Sequence, residues 1–132
     1  MYYIPANDAV GKLILRVTIG VLVLLHGIAK VIGGVEGIAG RLESVGLPGF
    51  IAYGVYLGEV MAPILMIVGF YARAGALLVA LTMVVAIALV HSSELFLFTR
   101  TGGFQLELQY SYLFGAIAAM LLGPGRYAIN DK

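Results

Sequence analysis

GKLILRVTIGVLVLLHGIAKVI, residues 11–32, decides the fold of this chain. A helix needs about 20 mostly apolar residues to cross the hydrocarbon of a bilayer, and this stretch meets that length without a helix breaker. Yet it carries Arg16, His26 and Lys30. An ionised group at the centre of a span costs about 2.5–3.5 kcal/mol on insertion scales, so it persists only with a partner, a cavity or a function. The stretch therefore predicts a membrane helix that turns a polar stripe inward.

Working outward, three further apolar stretches follow. Residues 50–70 are broken only by Glu59, residues 74–93 hold no Asp, Glu, Lys or Arg, and residues 106–122 stop at Gly123-Pro124-Gly125. The expectation is one all-α domain over residues 1–132, an antiparallel four-helix bundle with spans at about 11–32, 50–70, 74–93 and 106–122. Between the first two spans, Ile38, Leu42 and Val45 recur at helical spacing, which predicts a short amphipathic surface helix before Gly46-Leu47-Pro48-Gly49. Gly102-Gly103 is the hinge of the loop between spans three and four. Residues 1–9 contain no Lys or Arg, so the first stretch is expected to be retained as a helix rather than removed as a secretory leader.

Composition agrees. The chain is 61% hydrophobic and 11% charged, against roughly 25% charged in soluble domains, so lipid must be its solvent. A net charge of +1 offers no footprint for nucleic acid. With no cysteine, thiolate metal sites and thiol–disulfide exchange by the chain itself are excluded. Lys12, Arg16, Arg73, Arg126 and Lys132 fall on one side of the four spans, against Arg41, Arg100 and the edge residue Lys30 on the other. The excess predicts that both termini lie in the cytoplasm and that the protein is multi-pass in the cytoplasmic membrane.

The ionisable residues converge toward the outer half of such a bundle. His26 and Lys30 are four apart and share a helical face. Arg16 lies about 40° from Lys30 on the same broad face, lower down. Glu59 is mid-span, and Pro63 lacks the N–H that would bond the carbonyl of residue 59. Tyr56, Ala62 and Met66 share its face, and Gly54, Gly58 and Ala62 form a ridge suited to close helix packing. Glu107 opens span four, with Tyr110 on its face and Gln105, Gln109 and Tyr112 along a second polar edge. His91, beside Ser92 and Ser93, closes span three. Candidate catalytic residues are Glu59, His26 and Glu107, and candidate ligand-binding residues are Lys30, Arg16, Tyr56, His91 and Tyr110. The alternatives are structural: Lys30 and Arg16 reaching to the interfaces, Glu59 in a salt bridge to either, Glu107 as a helix cap. No HxxxH or ExxH spacing supports a metal site, and neither metal nor haem is expected.

The chain resembles the DoxX family of small four-helix membrane proteins. The matching features are Leu15-Arg16, Gly20, His26-Gly27 and Lys30, then Gly46-Leu47-Pro48, Glu59, Gly69 and Ala72-Arg73-Ala74. Gly123-Pro124-Gly125-Arg126-Tyr127 closes the pattern, while Gly102-Gly103 stands further from Glu107 than in the family. The resemblance implies redox metabolism at the cytoplasmic membrane, since relatives include a subunit of a thiosulfate–quinone oxidoreductase and a component of oxidative-stress assemblies. The expected role is a quinone-interacting subunit, with quinone as the cofactor and a homo-oligomer or a hetero-complex with a redox partner as the assembly. The competing roles are a non-catalytic membrane anchor or assembly factor, and a small proton-coupled transporter.

Overall fold

A computed structural model of the chain describes residues 7–34, 36–90, 96–104 and 106–132. Its secondary structure is helical, apart from one isolated antiparallel bridge between Phe98 and Phe104 among the described residues. Helix α1 runs Asp8–Gly33 and α2 runs Glu36–Ser44. Helix α3 covers residues 49–68 with a changing pitch, α4 runs Ala72–Val90 and α5 runs Glu107–Leu122. Each apolar stretch thus carries one helix, and the predicted surface helix is α2, whose Leu42 is buried.

The ends follow from local chemistry. The Asn7 side chain accepts from the Val10 N–H at 3.1 Å, and Asp8 complements the positive end of the α1 dipole. Helix α3 stops at Gly69, which takes the left-handed conformation (φ 76°) and donates its N–H to the Leu65 carbonyl at 2.9 Å. Tyr71 follows with a positive φ of 50°, unusual for a bulky residue. The C-terminal segment holds this turn. The Tyr71 N–H donates to Asn130 Oδ1 at 3.0 Å, the Asn130 N–H to the Gly69 carbonyl at 3.1 Å, and the Arg73 N–H to the Lys132 carbonyl at 3.2 Å.

Within α3 the pitch tightens to 3₁₀ over Gly49–Tyr53 and widens to a π turn over Leu57–Met61. Pro63 is the physical reason for the widening. It cannot donate to the Glu59 carbonyl, and the Ala62 N–H reaches back five residues to the Leu57 carbonyl instead.

Neighbouring helices pack through small residues, which let their backbones approach closely. Gly27 of α1 lies against the Glu59 carbonyl, and Gly20 lies against Pro63 and Ile67. Gly58 of α3 meets Thr82 of α4, while Gly75 meets Ala62 and Leu65. Gly115 of α5 receives Ile19 of α1. These contacts run α1 against α3 and α3 against α4 in opposite directions. Of the small-residue ridge, Gly58 and Ala62 are buried, whereas Gly54 is exposed with open space around it among the described residues. Val23, Met66, Ala76, Val79, Ala80, Ala116 and Ala119 fill the centre.

The exterior is apolar. Leu25, Ile32, Leu81, Val85, Phe114 and Leu121 are all more than half exposed, far beyond the scattered apolar residues of a soluble surface. Helix α1 is long and apolar enough to cross a membrane, and Leu57–Val68 and Ala72–Ala88 are shorter apolar helices.

Arg16 is 2% exposed and pairs with no carboxylate among the described residues. Its Nη1 donates to the carbonyls of Met66 (2.7 Å) and Ile67 (2.8 Å), and Nη2 donates to the Tyr127 carbonyl at 2.6 Å. The guanidinium therefore neutralises the negative end of α3 and ties it to the C-terminal segment.

Candidate functional site

Four helices line one cavity of about 80 Å³ in the half of the bundle away from Arg16. Helix α1 contributes Val23, His26 and Lys30, at the three- and four-residue spacing that puts side chains on one face. Glu59 enters from the π turn of α3. Met83 and Ala86 form the wall on α4, and Gln109 and Tyr112 close it from α5.

Two polar pairs organise the space. Lys30 Nζ donates to Glu59 Oε2 at 2.5 Å, with the carboxylate 4% and the lysine 34% exposed. The negative charge is thus held inside while its counter-ion reaches in from the rim. Burial of the acid is tolerable because the ammonium supplies both charge and proton. In the second pair, the Tyr112 hydroxyl lies 3.3 Å from His26 Nε2, with the two rings edge to face at 5.6 Å. Apolar walls on both sides strengthen these contacts by keeping the local dielectric low.

Of the residues singled out from sequence, the structure brings Glu59, His26 and Lys30 together. Arg16 sits at the opposite end of α3 and bonds backbone carbonyls, so a pairing with Glu59 is not made. Tyr56 stacks on Tyr53 (5.9 Å, edge to face) and is not among the cavity residues. The widened π turn carries it further round the helix from Glu59 than an α pitch would. Glu107 is exposed beside Gly103 in the first turn of α5. Tyr110 packs edge to face on Phe104 at 5.7 Å, also away from the cavity. His91 and Gln105 lie outside the described residues.

Tyr112 is the cavity residue that the candidate set omits in favour of Tyr110. Residues two apart on a helix face nearly opposite ways, so only one of the two can enter the bundle. Tyr112 shares its face with Ala116 and Ala119, both buried. That alanine spacing is the signal in the sequence that marks the inward side of α5.

Chemically, the cavity offers an ion pair, a phenol, an imidazole and an amide, all within reach of a small polar group. Among the described residues no cluster of three or more His, Cys, Asp or Glu is arranged to hold a metal.

A family model described as DoxX matches residues 11–92, which includes every cavity residue except those of α5. A Bacillus subtilis (strain 168) protein named "Putative oxidoreductase CatD" is 35% identical over 121 residues, covering 92% of this chain and 85% of its own. A Haemophilus influenzae protein described as "Uncharacterized protein" is 31% identical over 121 residues, covering 89% and 87% respectively. No solved structure matches.

Proposed function

The chain belongs to the DoxX family, and from that premise we propose that it is a multi-pass protein of the cytoplasmic membrane whose cavity receives a quinone headgroup on behalf of a redox complex. The observation that carries the reading is the meeting of Lys30–Glu59 with His26–Tyr112 around one cavity inside an apolar bundle. The oxidoreductase name of the Bacillus relative supports the redox assignment.

The residues present fit such a headgroup. A quinone, when bound, supplies two-electron, two-proton chemistry at two carbonyl oxygens. Lys30 keeps ammonium protons beyond the one given to Glu59, and Tyr112 carries a hydroxyl proton, so both can donate to an acceptor oxygen. Lys30, at the rim, links the enclosed Glu59 carboxylate to the outside. Val23, Met83 and Ala86 exclude water from the flat faces of a ring. Electrons come from a partner protein in a hetero-complex.

Four spans with cytoplasmic termini accompany this reading. Lys12 packs on Gly125, Lys132 lies over the Tyr71 ring and Arg73 donates to the Met120 carbonyl, so the cationic residues gather at one end. That clustering supports the orientation derived from the charge bias.

The test is to purify the protein in mild detergent, extract it with organic solvent and quantify quinone by mass spectrometry. Near-stoichiometric quinone in the native protein, lost in Glu59→Gln, is the expected result. An extract without quinone would remove the redox reading. A second reading, an anchor or assembly factor, is favoured by the Lys30–Glu59 pair itself, since a satisfied ion pair also locks helices together. It predicts that Glu59→Gln alters stability and partner capture but no ligand content. For a cation transporter the same pair is unhelpful, because Lys30 already occupies the acid.

A further inference from the structure

The cavity has two directions of exit: endwise past Lys30, or sideways between α1 and α5. Three features separate them. First, His26 is exposed although it lies seven residues before the end of α1, about 10 Å down at 1.5 Å per residue. Its helix neighbours Leu22 and Leu25 are exposed as well, so the free edge of the imidazole faces the flank of the bundle. Second, the Lys30–Glu59 pair sets two charges across the endwise path. Third, the connection between α4 and α5 exposes Phe96 (80%) and Phe98, the latter stacked on Phe104 across the isolated bridge. An exposed apolar patch of this kind marks a surface that meets lipid or another apolar partner rather than water. On the four-span reading proposed above, the depth of His26 below the end of α1 puts the cavity level with the acyl chains.

We infer that the cavity is entered sideways, through the α1–α5 seam, by an amphiphile dissolved in the bilayer, with the His26–Tyr112 contact as the closure that its polar head displaces. The inference rests on the reading of the cavity as a ligand site and names the class of ligand: a head bearing hydrogen-bond acceptors and a tail left in lipid. An acceptor oxygen on the head accepts a hydrogen bond from the Tyr112 hydroxyl, taking the place of its contact with His26 Nε2. Ile19 against Gly115 keeps the seam shut below, so the passage opens only at the level of the pair.

The native absence of cysteine makes a direct test possible. Ala86→Cys in lipid nanodiscs, with both aqueous faces open, is exposed to an uncharged lipid-soluble maleimide or to a charged methanethiosulfonate. Each rate is taken relative to the reaction of the reagent with a free thiol. The maleimide is expected to react at least about tenfold faster, because hydrocarbon excludes the charged reagent. Adding His26→Ala is expected to raise the maleimide rate several-fold and leave the other unchanged. Equal or faster reaction of the charged reagent, reaction of neither, or indifference to His26→Ala would overturn the inference. Met83→Cys serves if Ala86→Cys does not melt like the parent. Sideways labelling with no quinone in the extract would leave the portal standing and remove the redox assignment; aqueous labelling with quinone present would do the reverse.

Discussion

Glu59 and Lys30 form one ion pair, but the two ends of it are not equivalent. The carboxylate is enclosed and the ammonium is at the rim. Removing Lys30 strands a buried charge, which costs about 3–5 kcal/mol where nothing replaces the partner. Removing the charge of Glu59 strands an ammonium that can turn outward along its flexible stem at much smaller cost. Lys30→Met should therefore lower the unfolding temperature in detergent far more than Glu59→Gln, and the double variant should recover most of the loss. Equal losses in the two single variants would show that the pair is not divided between interior and rim in this way. Arg16 makes the opposite point about legibility. Its position in the sequence announces a buried charge, but its partners are carbonyls at a helix end, and no pattern of side chains displays those.

At the scale of elements, α1 and α3 approach so closely that a side chain would not fit between them. A Cβ at position 27 would overlap the Glu59 carbonyl, which is backbone and cannot rotate away. Gly27→Ala must push the helices apart, at about 1–3 kcal/mol by the usual cost of overpacking, and pull Lys30 from Glu59. Gly54→Ala, with open space at its Cβ position, should be neutral or slightly stabilising. Thermal unfolding of the two variants side by side checks the pair, and a harmless Gly27→Ala would refute the close approach. The helices themselves were legible because hydropathy and length dominate in lipid. Pro63 likewise announced a disturbed backbone at Glu59. Its form was not legible: whether a freed carbonyl leads to a kink, a water or a π turn depends on what the neighbouring helix presents, here Gly27. The rotation of α5 that selects Tyr112 over Tyr110 was written in Ala116 and Ala119, in a helix whose apolar residues otherwise run all round it.

For the whole molecule, the three-way agreement of motif pattern, family match and helix arrangement fixes the kind of protein. The site is less legible because its members come from four helices and meet only after packing. The helices also differ in length, and that has a consequence for the bilayer itself. Helix α1 has 26 residues and α5 has 16, about 39 Å and 24 Å at 1.5 Å per residue, against a hydrocarbon thickness of about 30 Å. If both helices span the bilayer, as the four-span proposal has it, the long one can lean but the short one can only draw the two leaflets together. Such mismatch costs fractions of a kcal/mol per Å. The protein should resist thermal unfolding better in dimyristoyl than in dioleoyl phosphatidylcholine vesicles, and an inverted order would mean that the short helix is not what meets the lipid. In a membrane of uneven thickness, the chain would then collect where the sheet is thinnest, sorted by the reach of α5 before any partner is met.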